Sequence, residues 1–566
     1  MARWPARWRP ARKPATGDSG ANPISCNRCI AVVGAIAGLL MLAWGFAAQA
    51  GPNLQSFPQV LSPALPYDVN AAAVEQQMRQ VHPRNGGEYS DADADLVISA
   101  QRQFDILAWQ AFLALNWPQK AWNEPAVNLT ERDGSPLWSY WVPIEKIFDP
   151  SGAPPEFPWN PEKGHQEMVS RGVAASMPPK AAWRQSASAN DNFQAFSGPL
   201  VDQNGKWVRY EALVNPEEYE YIFKNTLYSL DGQIAFSQRD VEHNEVDFPV
   251  NQKSRHGAIE IKLAWKELGA DDDRSRFYTT TVRVRASGPP GTSQEWRPIT
   301  AGLVGMHIAM HTQSSPQWIW STFEQIDNVR RNPLQHGGMS HANFMNPDLP
   351  YAPVNVLPLK NGGCKDGMNC GSWYENLTTT PVQVARISVP TQPGLNELDA
   401  KIAAETQALN VEVQALLHRI GSVFQYYELI GTQWPVHKYA PGFAGGQGSA
   451  PQSIANKLPG DVVPVFLINT TMETYFQKGP QNAGCLEQDD RLNDNCVADT
   501  TPVVGTESCA GCHYSAGICI GYRRAADGTK VPIYGISDHS GRTGHANFSW
   551  MLQIETAKQA QGAATH

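Results

Sequence analysis

Five residues near the carboxyl end, Cys509-Ala510-Gly511-Cys512-His513, limit this chain more than any other stretch. The pattern C-x-x-C-H is the attachment signature of a c-type haem. Each thiol adds to one vinyl group, and the small Ala510 and Gly511 let the backbone pass close to the porphyrin. The adjacent imidazole then sits under the iron as proximal ligand. Whatever surrounds such a segment must accommodate one covalently attached macrocycle. Other chemistries of C-x-x-C fit less well. A structural zinc needs four ligands, usually with a second pair at similar spacing. The only other C-x-x-C, Cys26 to Cys29, lies in the amino-terminal segment. A thioredoxin-like pair needs a preceding strand, and residues 501–508 do not read as one.

Haem c attachment takes place outside the cytoplasm, and the amino end reads as an export signal. Arg3, Arg7, Arg9, Arg12, Lys13 and Arg28 form a basic region, residues 30–48 carry no charge, and Ala48-Gln49-Ala50 is a cleavage pattern before Gly51. The apolar run is also long enough to span a bilayer, so an uncleaved anchor is the alternative. Positive charge on the cytoplasmic side suits both outcomes. A periplasmic location is expected, with membrane contact only through a retained amino-terminal segment.

The cysteines agree with an oxidising compartment. Beyond residue 50, Cys364–Cys370 and Cys485–Cys496 are candidate local disulfides in loops rich in Gly, Asn and Asp. Cys519 is left over; it pairs with Cys485 or Cys496 instead, or stays buried as a small apolar residue. Without residues 1–50 the chain carries 39 basic against 53 acidic residues, a net charge of −14. That argues against nucleic acid and anionic membrane surfaces and suits docking with a basic redox partner protein.

The periodicities predict an α+β fold. Residues 93–116 read as a helix, with Ile98, Phe104, Leu107, Ala111 and Leu115 on one face and Trp117-Pro118 ending it. Residues 123–188 read as irregular packed loops and 216–230 as a helix. Residues 258–265, 276–284, 299–311 and 317–326 read as neighbouring strands of an antiparallel sheet. Residues 395–430 give the longest helical pattern, from Leu398 and Ile402 to Phe424. Shorter helices are expected near 470–477 and over 548–561. The expected organisation is a signal peptide or anchor at 1–50, a mixed body at 51–395 and a helical region at 396–566. The last would contain a mostly helical, cytochrome c-like haem domain with its core at about 465–566, in which two helices cross beside the haem edge. About 515 residues beyond the signal are enough for two to four domains, far more than one haem requires.

The strings LINTTMETYFQ (467–477), SCAGCH (508–513), HANFSWMLQ (545–553), PQWIWSTFEQIDN (316–328) and WQAFLALNWP (109–118) resemble a family of exported bacterial proteins described as cytochrome c family proteins. The resemblance runs along most of the chain beyond the signal. It implies one haem c on Cys509 and Cys512, with His513 as axial ligand, and leaves the second axial position open.

That second position separates the functions. Two firm ligands make an electron carrier, whereas an open iron admits peroxide, oxygen or a substrate. His539 and His545 lie in a Gly-containing loop before the terminal helix, where a distal ligand is expected. Met551 is the thioether candidate or a core methionine. His307 and His311, spaced by four, share a face of a strand or of a helix; they are candidate distal-pocket acid–base groups or satisfied core histidines. The sequence thus offers three readings: single-electron transfer to a partner, haem-dependent peroxidase- or oxygenase-like catalysis on a small molecule in a pocket formed by the body, and a haem sensor without turnover.

Overall fold

Alternating apolar residues in the middle of the chain build strands because every second side chain of a half-buried strand meets the core. The computed structural model describes residues 54–82, 89–173, 198–239, 245–252, 255–284, 296–329, 342–346, 348, 354–359, 373–386, 395–438, 461–476, 508–513, 516–526, 528–535 and 544–563. Residues 1–50, Cys364, Cys370, Cys485, Cys496 and His539 lie outside them. The fold is α+β, and Gly51–His566 forms one compact unit.

An eight-stranded antiparallel sheet organises that unit. Its strands are β1 (Val142–Pro143), β2 (Arg209–Val214), β3 (Ile259–Glu267), β4 (Thr279–Val284), β5 (Arg297–Met310), β6 (Ile319–Gln325), β7 (Tyr427–His437) and β8 (Asp461–Val463). The order is β8-β7-β6-β5-β3-β2-β1, and β4 pairs with the first half of β5 on the edge that β6 takes further along. Strands β3 to β6 are the four neighbouring strands that the sequence predicts.

Two helices cover one face. Helix α1 (Asp91–Leu115) starts at Ser90, whose Oγ accepts from the Asp93 N–H at 3.2 Å. Helix α2 (Pro216–Lys224) is capped by Asn215 and ends well before residue 230; a separate helix follows at Leu230–Ser237. Helix α3 (Leu395–Arg419) packs beside α1. Ile261 and Leu263 of β3, Met306 and Ile308 of β5, Phe323 of β6 and Leu429 of β7 join Phe104, Trp109, Phe112, Leu409 and Val413 in one apolar core. Each such side chain contributes roughly 1.5–3 kcal/mol on burial. Polar stitches register the layers: Thr406 Oγ1 donates to Asp105 at 2.7 Å, Trp109 Nε1 to Asn410 at 3.0 Å, and Asn410 Nδ2 to the Leu429 carbonyl at 2.8 Å.

The helical pattern expected over 395–430 stops at Arg419. Gly421 takes φ +68°, its N–H bonds the His418 carbonyl, and the Ser422 N–H bonds the Leu417 carbonyl. This is a Schellman termination, and the chain returns as β7 between β6 and β8. The expected boundary at residue 395 therefore cuts through a single core. The carboxy-terminal region also differs from the expected mostly helical one. Residues 474–476 form one 3₁₀ turn in place of a helix. The C-x-x-C-H segment is one turn, α4 (Cys509–His513). A hairpin, β9 (Cys519–Arg524) with β10 (Lys530–Tyr534), separates it from the terminal helix α5 (Met551–Ala563). With a single 3₁₀ turn at residues 474–476, the helix expected there to cross the terminal helix beside the haem edge does not form among the described residues.

Candidate functional site

The second face of the sheet carries Tyr210 of β2, Glu260 and Lys262 of β3, His307 of β5, Trp320, Thr322 and Glu324 of β6 and Gln433 of β7, side by side in the antiparallel register. Two segments dock there. Residues 469–473 attach by polar contacts. Asn469 Nδ2 donates to Thr322 Oγ1 at 2.9 Å, the Thr470 N–H to Glu324 at 2.6 Å, and the Tyr210 hydroxyl to the Thr471 carbonyl at 2.6 Å. The second segment is α4. Gln433 Oε1 accepts from the Ala510 N–H at 2.9 Å and from Ser508 Oγ at 3.2 Å, and Ser508 Oγ accepts from the Gly511 N–H at 3.2 Å. The donors left free at the start of this turn are thus satisfied by Gln433 of the sheet and by Ser508.

Cys509 and Cys512 are free thiols one helical turn apart. Burial pushes both thiols up, Cys512 to about 11, with the nearby Glu473 charge adding to it. They stay protonated at neutral pH. His513 Nδ1 lies 2.7 Å from the Phe548 carbonyl oxygen. A carbonyl only accepts, so Nδ1 carries the hydrogen and Nε2 presents its lone pair. Burial lowers the imidazole pKa to about 4 against the raising effect of that carbonyl bond, so the ring is neutral at pH 7. Trp320 lies against the ring, centroids 4.2 Å apart, and Trp550 Nε1 donates to the Cys512 carbonyl at 3.1 Å.

The Phe548 carbonyl is aimed by an unusual turn. Asn547 and Phe548 both take left-handed backbone, φ +48° and +68°. Asn tolerates this region and Phe does so at a cost, here offset by burial of the Phe548 ring in the second core cluster with Ala510, Ile518, Met551 and Leu552. Consecutive strained residues that fix the partner of a candidate ligand are what a functional constraint predicts.

Beside this turn sits a charged group. His307 Nε2 and Glu473 Oε1 are 2.9 Å apart, the other Glu473 oxygen accepts the Asn469 N–H at 2.7 Å, and Lys262 stands opposite His307 in the β3–β5 register. Burial alone would raise the Glu473 carboxyl, but His307, Lys262 and the Asn469 N–H outweigh it and hold it below the ordinary range. The same three side chains act electrostatically on His513.

The other ligand candidates are placed as follows. His545 is buried inside the turn, its Nδ1 accepting the Asn547 N–H at 3.0 Å, and so is not on an exposed loop. Met551 opens α5 within the second core cluster. His311 is buried, bonds the Phe248 carbonyl at 2.9 Å through Nδ1 and stacks on Trp318. His307 alone of these belongs to the charged group that acts on His513. Cys519 is a buried free thiol. Among the described residues no cluster of three or more His, Cys, Asp or Glu is arranged to hold a bare metal ion, and no helix is long and apolar enough to cross a membrane.

Two thiols on one turn, a neutral imidazole with Nε2 available and small residues between them suit a c-type haem, which needs one protein nitrogen on its proximal side. Sequence reasoning missed Gln433, Lys262, Glu473 and the Phe548 carbonyl. Only Asn547, in a residue type that tolerates left-handed backbone, gave a local signal. No family model, curated protein or solved structure matches this chain.

Proposed function

We propose that this protein is an exported, periplasmic mono-haem c-type cytochrome that exchanges single electrons with a redox partner protein. Cys509 and Cys512 would hold the haem covalently and His513 would ligate its iron, as the resemblance to cytochrome c family proteins also implies. The observation that carries this reading is the His513 Nδ1–Phe548 carbonyl bond at 2.7 Å, which sets the tautomer a proximal ligand needs. A bound haem supplies a one-electron iron couple. The chain's own part is to keep that imidazole neutral and oriented, with α4 pinned to the sheet by Gln433 so that its position stays fixed as the charge changes. The acidic body suits docking with a basic partner.

A second reading, haem-dependent oxidation of a small molecule such as peroxide, is favoured by the His307–Glu473–Lys262 group. A histidine held by a carboxylate beside the candidate iron site is placed to move a proton.

The test is the visible spectrum of the periplasmically expressed protein, reduced, with and without CO. Haem that survives denaturation in wild type and is lost in C509A/C512A supports attachment. A low-spin spectrum unchanged by CO supports electron transfer; a CO adduct that changes in H307A supports the second reading. Wild-type protein without covalent haem sinks both.

A further inference from the structure

Next to the turn that bears Phe548, the carboxyl groups of the buried Glu218 and the half-buried Glu260 are short of donors. Val214 of β2 faces Glu260 of β3, and the chain turns at once into α2 through Asn215. The Asn215 Oδ1 accepts both the Glu218 N–H at 3.2 Å and the Ile259 N–H at 3.1 Å, which clamps the first turn of α2 to the start of β3 and sets Glu218 against Glu260. Glu218 is 0% exposed, and neither of its carboxyl oxygens has a hydrogen-bond partner; Glu260 Oε1 is sealed from solvent and also lacks one. The buried Ser549 hydroxyl stands beside Glu260 and favours its charged form, against the burial that opposes it.

We propose that Glu218 and Glu260 form a shared proton-binding site linked to the redox state of the haem centre, taking up a proton when the centre gains an electron and releasing it when the electron leaves. Two facing carboxylates short of donors ionise together only at a cost in a low-dielectric interior, a cost that a positive charge gained nearby on oxidation would offset, and a proton between them supplies the missing donor. Burial pushes both groups up, and for Glu218 the neighbouring Glu260 charge adds to it.

The charged surroundings leave that proton in place. On α2, Glu217 and Glu220 add negative charge, and Arg255 lies 3.4 Å from Glu220. On β3, Lys262 is turned to Glu473 and Cys512. Opposite Glu260 on β5 is the uncharged Ala309, while His311 bonds the Phe248 carbonyl. From the turn come Ser549 and His545, the latter holding the Asn547 N–H. The link to the haem centre is short in structural terms. Glu260, Ala309 and Trp320 form one row across the sheet, Trp320 lies on His513, and Ser549 directly follows the Phe548 whose carbonyl bonds His513.

The electron half rests on the haem reading above; the proton half does not. A one-electron donor protein reduces the centre and lowers its charge by one, and one proton from solvent compensates at the pair. An electron acceptor reverses both. The test is the midpoint potential of the holoprotein against pH. The potential should fall as pH rises through a window, with a slope approaching about 59 mV per pH unit for one proton per electron. The slope should flatten in E260Q and in E218Q; two variants are compared because Glu218 is wholly buried. In haem-free C509A/C512A protein at neutral pH, the infrared carboxylic-acid C=O band should be present and should weaken when either Gln substitution is added. A pH-independent wild-type potential, or a slope that survives both substitutions, overturns the redox linkage. Absence of the infrared band overturns the proton site. Wild type without attached haem removes the linkage together with the haem reading, and the infrared result then decides the proton site by itself.

Discussion

The same strands of the central sheet build two unlike faces. Ile261, Met306, Ile308, Phe323 and Leu429 meet α1 and α3 in a layer dominated by side-chain packing. Lys262, His307, Trp320, Glu324 and Gln433, from neighbouring positions, hold α4 and residues 469–473 through hydrogen bonds, charge and one ring contact. The first face tolerates imprecise partners, because hydrophobic burial has no direction. The second does not, because a buried polar group without its partner costs about 1–3 kcal/mol. The polar face can therefore hold three candidate haem-binding side chains in fixed positions, while the apolar face supplies the stability on which it depends.

The sharpest way to separate the faces is Phe112→Ala. Phe112 is fully buried and stacks on Phe323 with centroids 4.2 Å apart. Its truncation should cost about 3–5 kcal/mol, read by urea unfolding, and leave the visible spectrum of the folded protein unchanged. A changed spectrum would show that the two faces are not separable.

Asp105 probes an acidic group inside the apolar layer. Burial, opposed by its bonds to Thr406 and Gln101, raises its carboxyl pKa to about 6. A pKa raised above the unfolded value gives stability that is fully present below about pH 4 and lost as pH rises through about 6. Asp105→Asn keeps the shape and removes the titration. It should be more stable than wild type at pH 8 by about 1–3 kcal/mol, and the wild-type decline in stability between pH 4 and 7 should shrink. An unchanged pH profile would place the pH dependence elsewhere.

The same contrast explains what the sequence made legible. Alternation in β3 and β4, the apolar β-prone run of β5 and the 3.6-residue period of α1 report burial, and burial is written in residue type. The C-x-x-C-H segment stands out in the sequence because the haem attachment proposed for it would demand fixed spacing. The termination of α3 was available in Gly421 but hidden by apolar residues up to Ile430, which also suit a strand; tertiary pairing between β6 and β8 decided the outcome. The polar positions of β3 and β5 carry no sign of whether they face water or a docked loop. His513's partner is a backbone carbonyl, which no residue identity records.

On the polar face, Gln433→Ala should cost about 1–3 kcal/mol. It strips the acceptor from the Ala510 N–H and Ser508 Oγ and removes the donor that reaches the Pro464 carbonyl at 2.6 Å. The yield of covalently attached haem should fall with it. Full attachment at wild-type stability would mean that α4 does not need its anchor on the sheet.

The smallest effect tests the turn itself. Asn547 sits at φ +48°, with both side-chain polar atoms buried and unpartnered. Asn547→Ala and Asn547→Gly both remove that amide, so comparing them isolates the backbone. Glycine adopts the left-handed region freely, whereas alanine pays for its Cβ, so the Gly variant should exceed the Ala variant by about 1 kcal/mol in unfolding free energy. If the turn acts by aiming the Phe548 carbonyl, the haem spectrum should remain native in Asn547→Gly and shift in Asn547→Ala, because only the latter strains the bond to His513. Equal stability and equal spectra would show that the left-handed pair is incidental to the proximal geometry, and the polar face would then lose its claim to be built around His513.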